Sequence, residues 1–476
     1  MSDWPLVHLG DYIDLQTGHP FKSKDFSDSE GITLLRGDNI VQGQFRWENV
    51  KRWPDEQLIE RHNNYFLKEG DVILAMDRPW IEAGLKFGQI IKKDLPCLLV
   101  QRTSCLRAKN GLNQDFLRYL ISSYSFVEYV KLVQTGTAVP HISGKQINGF
   151  EFRLPPKSVQ ESIGNILKSL DVKSEINRQT NQTLEHIAQA IFKNWFVDFE
   201  PTRAKIAAKQ IGQARHDSER SAALKEALLA DDHWPEAVAA AIAEGDPERA
   251  AMAAISGKSL NEIDQLSPEQ QEQLLTTAAL FPDALVDSEL GEIPEGWEVN
   301  KIDDVVERLK PKKRYTKKQV ETFGLVPVYE QGADILLGFH NDEAGFEATP
   351  ENPLFIFGDH TCVIHLSCED FDISQNVIPL SGNGFPTIWV YYAVQDRQEF
   401  QEYRRHWSEF IIKQVVVPTV EIADKYARFV TNLYQQKEQL ARENKALEQL
   451  RDSLLPKLLS GELTANPNQT ELDKTA

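Results

Sequence analysis

Residues 154–199 read LPPKSVQESIGNILKSLDVKSEINRQTNQTLEHIAQAIFKNWFVDF, and a second version starts at Val417: VPTVEIADKYARFVTNLYQQKEQLARENKALEQLRDSLLPKLLSG. At a fixed offset of 263 residues, Pro155 falls on Pro418, Ile166 on Phe429, Leu170 on Leu433, Leu184 on Leu447, Ile187 on Leu450 and Ile191 on Leu454. That register holds without a gap over roughly forty residues, which marks an internal duplication.

Apolar periodicity makes both copies helical. In the second copy Leu433, Leu440, Leu447 and Leu454 are seven apart, with Phe429 and Leu450 as companions; the first copy offers Leu170, Asn177, Leu184 and Ile191, with Ile166 and Ile187. Pro155 and Pro156 disfavour helix upstream, and Ser158 with Glu161 has the S-x-x-E capping pattern. A helix of about 40 residues is about 60 Å long, too long to pack on one small domain. Two such helices, separated by a globular insertion, are expected to pair antiparallel as a coiled coil. Placing Ile163 opposite Leu454 brings Lys173 level with Glu443 and Thr180 level with Gln436. With Asn177, these polar residues are the candidates for fixing helix register.

The remainder falls around these helices. Residues 1–153 form a mixed α/β domain: "DVILAM" and "PCLLVQRTSCLRA" read as strands, and "NQDFLRYLISSYSFVEYVKLV" as a helix. Trp297, Val299, Ile302 and Asp304 repeat Trp4, Leu6, Leu9 and Asp11 at an offset of 293, so a second such domain occupies 290–416 and is about 30 residues shorter. The helix regions are then 154–200 and 417–463, and 464–476 is a flexible tail. The expected fold class is α/β, with two mixed α/β domains joined by two long antiparallel helices forming a coiled coil.

The net charge of −19 would ordinarily argue against a polyanionic partner. Its distribution does not. Residues 200–295 hold 8 basic and 19 acidic side chains, more than half of the excess, whereas residues 1–153 hold 19 of each. Region 201–289 reads as an acidic helical insert and linker, with solubility, spacing and protein contact all open as roles. The four cysteines lack zinc-site spacing and read as reduced structural thiols; no run of eighteen apolar residues occurs. A soluble cytoplasmic protein is expected, with no membrane partner.

Against this background the segment "LKPKKRYTKK" stands out. Lys310, Lys312, Lys313, Arg314, Lys317 and Lys318 place six cations within nine positions around Tyr315, a pattern suited to phosphate contact and counterion release. The first domain offers a looser set: Lys22, Lys24, Arg36, Arg46, Lys51 and Arg52, interleaved with Trp47 and Trp53. Reading base edges needs paired donors and acceptors, for which Arg36, Asp38, Asn39, Arg78 and His141 are candidates in the first domain. His340, Asn341, Asp342, His360 and Asn383 are candidates in the second. Dinucleotide, Walker, H-E-x-x-H and serine-elbow motifs are missing, so neither catalytic residues nor a cofactor or metal are assigned.

The LPP…Q…I…L…D element, "AIFKNWFVDFEPTRAK", "LFPDALVDSELGEIPEGWEV" and "LRDSLLPKLLSGEL" together resemble the specificity subunit of type I restriction-modification systems. The resemblance spans nearly the whole chain outside about 205–279. It implies two target recognition domains, each reading half of a bipartite sequence in double-stranded DNA. The helices would be a ruler that docks two methyltransferase subunits, with restriction/translocase subunits joining through the complex and all catalysis on those partners. "GTAVPHISGKQI" looks like the loop that ends such a domain. The second domain has no such loop, and its helix reads as "FQEYRRHW". The competing readings are a nonenzymatic scaffold that binds peptides or proteins, favoured by overall acidity, and a nuclease or methyltransferase in its own right, disfavoured by the missing motifs.

Overall fold

The computed structural model describes residues 3–54, 63–81, 83–136, 138–229, 234–332, 334–402 and 404–463; the tail expected at 464–476 lies outside them. Two compact units emerge. One is the chain up to Ile176 together with the part from Glu443 onward, and the other is Asn177–Arg442. Ten elements carry the argument: strands β1 (Leu6–His8), β2 (Glu151–Arg153), β3 (Glu298–Lys301), β4 (Val326–Tyr329), β5 (Leu336–His340) and β6 (Gln414–Val417), and helices α1 (Gln114–Ser122), α2 (Lys157–Phe196), α3 (Thr387–Val394) and α4 (Val420–Ser460).

Each globular domain is closed by its own ends. β1 pairs antiparallel with β2, Leu6 opposite Arg153 and His8 opposite Glu151. β3 pairs antiparallel with β6, Val299 opposite Val416 and Lys301 opposite Gln414. Shifting the first partner by 293 and the second by 263 carries one register onto the other, so the duplication extends to individual strand contacts.

Between these ends the first domain folds a five-stranded sheet, Ile13–Thr17, Thr103–Ala108, Val72–Ala75, Phe87–Gln89 and Gln42–Gly43 in spatial order, beside a three-stranded one. The run expected as one helix breaks at Ser123. Its hydroxyl accepts from Phe126 N and so caps a new helix, Tyr124–Val133. The second domain has a four-stranded sheet and a three-stranded one in which β4 lies between β5 and Asp372–Ile373. Its helix is not "FQEYRRHW" but α3, TIWVYYAV, in which every residue from Ile388 to Val394 is buried. A β-branched and aromatic run without a polar face carries no helical periodicity, so burial rather than pattern decides it.

The long helices do form, with corrected details. α2 starts at Lys157, and Gln160 N donates to Pro156 O, so Ser158 lies inside the first turn and is not the cap. The expected companion positions Ile187, Phe429 and Leu450 are exposed. The buried line instead runs through Ile163, Leu167, Ser174, Asn177, Leu184, Ala188 and Phe192 on α2, and through Tyr426, Val430, Tyr434, Asn444, Leu455 and Leu458 on α4. The phase differs because each helix must also cover a globular domain. Ile163, Leu167, Leu455 and Leu458 share one core with Leu9, Phe116 and Phe152, while Phe192, Phe196 and Tyr426 share another with Trp297 and Trp389. Each such ring, fully buried, stabilises by about 2–3 kcal/mol.

In each unit, residue numbers rise on one helix as they fall on the other. In the first, Asp171 Oδ1 meets Arg451 Nη1 at 3.3 Å and Asn444 Nδ2 donates to Ser174 O at 3.3 Å. In the second, Asn181 Nδ2 donates to Lys437 O at 3.3 Å and Tyr426 Oη to Ala188 O at 3.1 Å. The insert builds a core of its own from Ala204, Ile211, Val238, Ile242, Met252 and neighbours. All four cysteines are free thiols; burial, aided by Asp94 and Asp71, raises the Cys97 pKa to about 12.

Candidate nucleic-acid interface

In the first domain, two of the expected segments meet around one carboxylate. Asp77 Oδ1 lies 2.6 Å from His141 Nδ1, and its Oδ2 receives Arg102 Nη1 at 2.7 Å. Arg78, at φ 45°, donates its backbone N–H to Pro140 O at 2.6 Å, which ties the AMDRPW turn to the GTAVPH loop. Lys86 joins this group to the RGDN turn by donating to Gly37 O. Burial lowers the Lys86 pKa, with Asp38 and Asp77 opposing and Arg78 adding to the shift. Arg36 pairs with Asp38 at 3.0 Å and lies over the Phe26 ring. Arg36, Asp38, Arg78 and His141 thus belong to one neighbourhood. Asp77, Lys86 and Arg102 were missed in the sequence, although Asp77 directly precedes Arg78.

Other candidates have different positions. Lys22 and Lys24 are exposed on the turn before Phe26. Asn39, 9% exposed, is a correction: its Oδ1 accepts from Arg36 N and its Nδ2 donates to Arg46 O, so it shapes its turn from within. Arg46 is held to the same turn through its own N–H, which donates to Asn39 O. Trp53 is buried, and Trp47 donates to Asp94 at 2.7 Å, so neither indole is a free stacking platform.

In the second domain, Lys310, Lys312, Lys313, Lys317 and Lys318 are exposed. Arg314 is not: its Nη1 donates to Ser374 O and Val377 O at 2.8 Å each, so the sixth cation anchors the loop. His340 is a second correction, at 6% exposure. Its Nδ1 accepts from Asp342 N at 3.1 Å and its Nε2 lies 3.0 Å from Asp372 Oδ2, which assigns the proton to Nε2. Tyr315 stacks on its ring at 4.3 Å, and Lys313 Nζ sits 4.1 Å from the Tyr315 centroid. The imidazole is therefore a post that holds the cationic loop against the end of β5. Asn341 is exposed, with its Oδ1 accepting from Leu325 N. His360 donates its backbone N–H to Gln331 Oε1, and Asn383 Nδ2 donates to Asp304 O.

On the helices, Lys173 Nζ lies 3.4 Å from Glu443 Oε2 with both side chains well exposed. Thr180 and Gln436 are exposed, and Asn177 is buried. Val172, Ile176, Ile187, Phe429 and Leu450 turn apolar surface outward. Among the described residues no group of three or more His, Cys, Asp or Glu is arranged to hold a metal ion, and no helix is long and apolar enough to cross a membrane.

Comparison with known proteins gives this geometry its context. Residues 1–186 match the model of the type I restriction modification DNA specificity domain. The HindI specificity subunit of Haemophilus influenzae is 25% identical over 504 residues, which cover 97% of this chain and all of that one. Over nearly its whole length the chain is similar to type I restriction-modification specificity subunits, and residues 1–186 match their DNA specificity domain. The EcoAI specificity subunit of Escherichia coli is 35% identical over 193 residues, covering 40% of this chain and 32% of that one. A crystal structure of the S subunit of a type I restriction-modification system from M. genitalium aligns over 96% of both chains, with 14% identity and a TM-score of 0.44.

Proposed function

We propose that this chain is a noncatalytic DNA specificity subunit of a type I restriction-modification system, that it carries two target recognition domains, residues 1–153 and 290–416, and that it uses α2 and α4 as an antiparallel coiled-coil ruler between them. Double-stranded DNA with a bipartite target is its ligand. Two methyltransferase subunits dock on the outward helix faces, and restriction/translocase subunits join through that complex.

The duplication of contacts carries this reading. Asn181 and Asn444, 263 residues apart, make the same hydrogen bond to the backbone of the facing helix, at Lys437 and Ser174, which are also 263 apart. Both domains close with the same strand register. A chain that repeats its supports and varies what they carry is suited to reading two different half-sites in one way. Helices of about 60 Å exceed the single turn of DNA, about 34–36 Å, that separates two reading heads on one side of a duplex. Ile187 and Leu450, equivalent in the repeat, are both exposed, which supports two like partners.

Methylome sequencing of a strain with and without the gene tests the proposal. The expected result is one bipartite methylated motif, with a fixed unspecified spacer, that vanishes on deletion. An unchanged methylome, in a strain expressing the methyltransferase, would refute it.

A further inference from the structure

Beside the cationic loop, the second domain holds two large apolar side chains out in solvent. Phe323 is 82% exposed and Leu325 79%. Single exposed apolar residues are ordinary, but this pair sits on a braced tip. Glu321 and Phe339 exchange both backbone hydrogen bonds at 2.8 Å, and Leu325 N donates to His340 O at 3.2 Å and to Asn341 Oδ1 at 3.1 Å. Between the pair, a Cβ on Gly324 would stand 2.7 Å from Phe339 Cβ and 3.0 Å from His340 O. Glycine therefore lets the tip lie flat on β5 while its two neighbours remain outside.

The surroundings identify what meets this tip. His340, whose carbonyl anchors Leu325, is the same residue that Tyr315 stacks upon beneath Lys313. The turn Lys317–Gln319 also packs on β5. Apolar tip and lysines thus share one support, and a polyanion with an apolar interior complements both. Duplex DNA has that chemistry: phosphates outside, stacked bases within.

We propose that Phe323 and Leu325 form a wedge that enters between adjacent base pairs of the bound duplex and partly unstacks one step. This rests on the DNA-recognition reading above. Apolar side chains inserted in this way kink DNA, and pyrimidine–purine steps yield most easily. The wedge would add selectivity at a step that no hydrogen bond reads, while the flanking lysines neutralise phosphates beside it.

The test uses the full chain assembled with its methyltransferase subunits, and duplexes of the methylome-defined target with 2-aminopurine at successive positions of each half-site. The native complex should raise the fluorescence several-fold at one step of a single half-site. The F323A/L325A complex should still assemble and bind specifically, with affinity about tenfold lower and no rise, whereas K317A/K318A should keep the rise at low salt. Specific binding by the native complex without a rise at any position would overturn the wedge. So would a rise that survives F323A/L325A, or loss of the methyltransferase subunits from that variant, which would make the tip a protein contact. Absence of any sequence-specific binding by the native complex would instead overturn the DNA-recognition reading itself, and the wedge with it.

Discussion

The Tyr119 hydroxyl donates to Asp171 Oδ2 at 2.8 Å, linking the α1 helix of the first domain to α2. Arg118 and Arg451 converge on the same carboxylate. The position equivalent to Asp171 is Tyr434, whose hydroxyl lies 2.8 Å from that of Tyr392 on α3 and reaches Glu185, which Lys437 also pairs with. Each domain is thus latched to a long helix by a tyrosine at a matching place, although the polar partners have diverged.

Tyr119→Phe is expected to cost about 1 kcal/mol, and Asp171→Ala, which strands two arginines, about 2 kcal/mol. Burial pushes the Asp171 pKa up, but Arg118, the Tyr119 hydroxyl and Arg451 outweigh it, so the net shift is downward. A depressed carboxylate pKa gives stability that is present above the unfolded value of about 3.9 and lost as pH falls through the folded one. Urea midpoints between pH 7 and pH 2 should show that acid loss, reduced in Asp171→Asn.

At His365 it is burial that wins, and the loss comes at higher pH. Burial, with Lys437 adding, holds its pKa at about 4 against an ordinary 6.5, while Glu185 opposes. As pH falls, the unfolded chain takes up this proton first, so stability declines from about pH 6.5 to about pH 4 and then levels. In His365→Gln the slope between pH 6.5 and 5, where few carboxylates titrate, should flatten. An unchanged slope in chemical unfolding would refute the assignment.

Removing one heptad from both α2 and α4 should shorten the spacer tolerated in the methylated target while leaving both half-sites intact. Changed half-sites with an unchanged spacer would refute the ruler.

Lys317 and Lys318 should contribute to affinity uniformly across sequences. K317A/K318A is expected to reduce the slope of log binding constant against log salt by about 2, with specificity retained. Titrations between 50 and 200 mM salt check it.

The long helices, the duplication and the cationic loop were legible in the sequence because each is a periodic or local pattern. The heptad phase was not, because Phe429 and Leu450 look like seam residues until the globular domains claim the other face of each helix. His340 and Asn39 looked like surface donors since polarity is visible in a sequence and burial is not. The Asp77 neighbourhood joins residues 36–38, 77–86 and 141, which no local pattern connects. The Lys173–Glu443 pair, being exposed, is worth only about 0.2–1 kcal/mol, so the buried Asn444 and Ser174 hold register more firmly.

The strand pairs β1–β2 and β3–β6 bring the entrance and the exit of each domain side by side. Whatever lies between can lengthen, shrink or be exchanged whole, provided both ends meet again in the same register. The second domain is already about 30 residues shorter on identical hinges. Heredity can therefore treat each domain as a cassette: a crossover on each side of the doorway exchanges the whole domain in a single step, and the helices that carry it need not change.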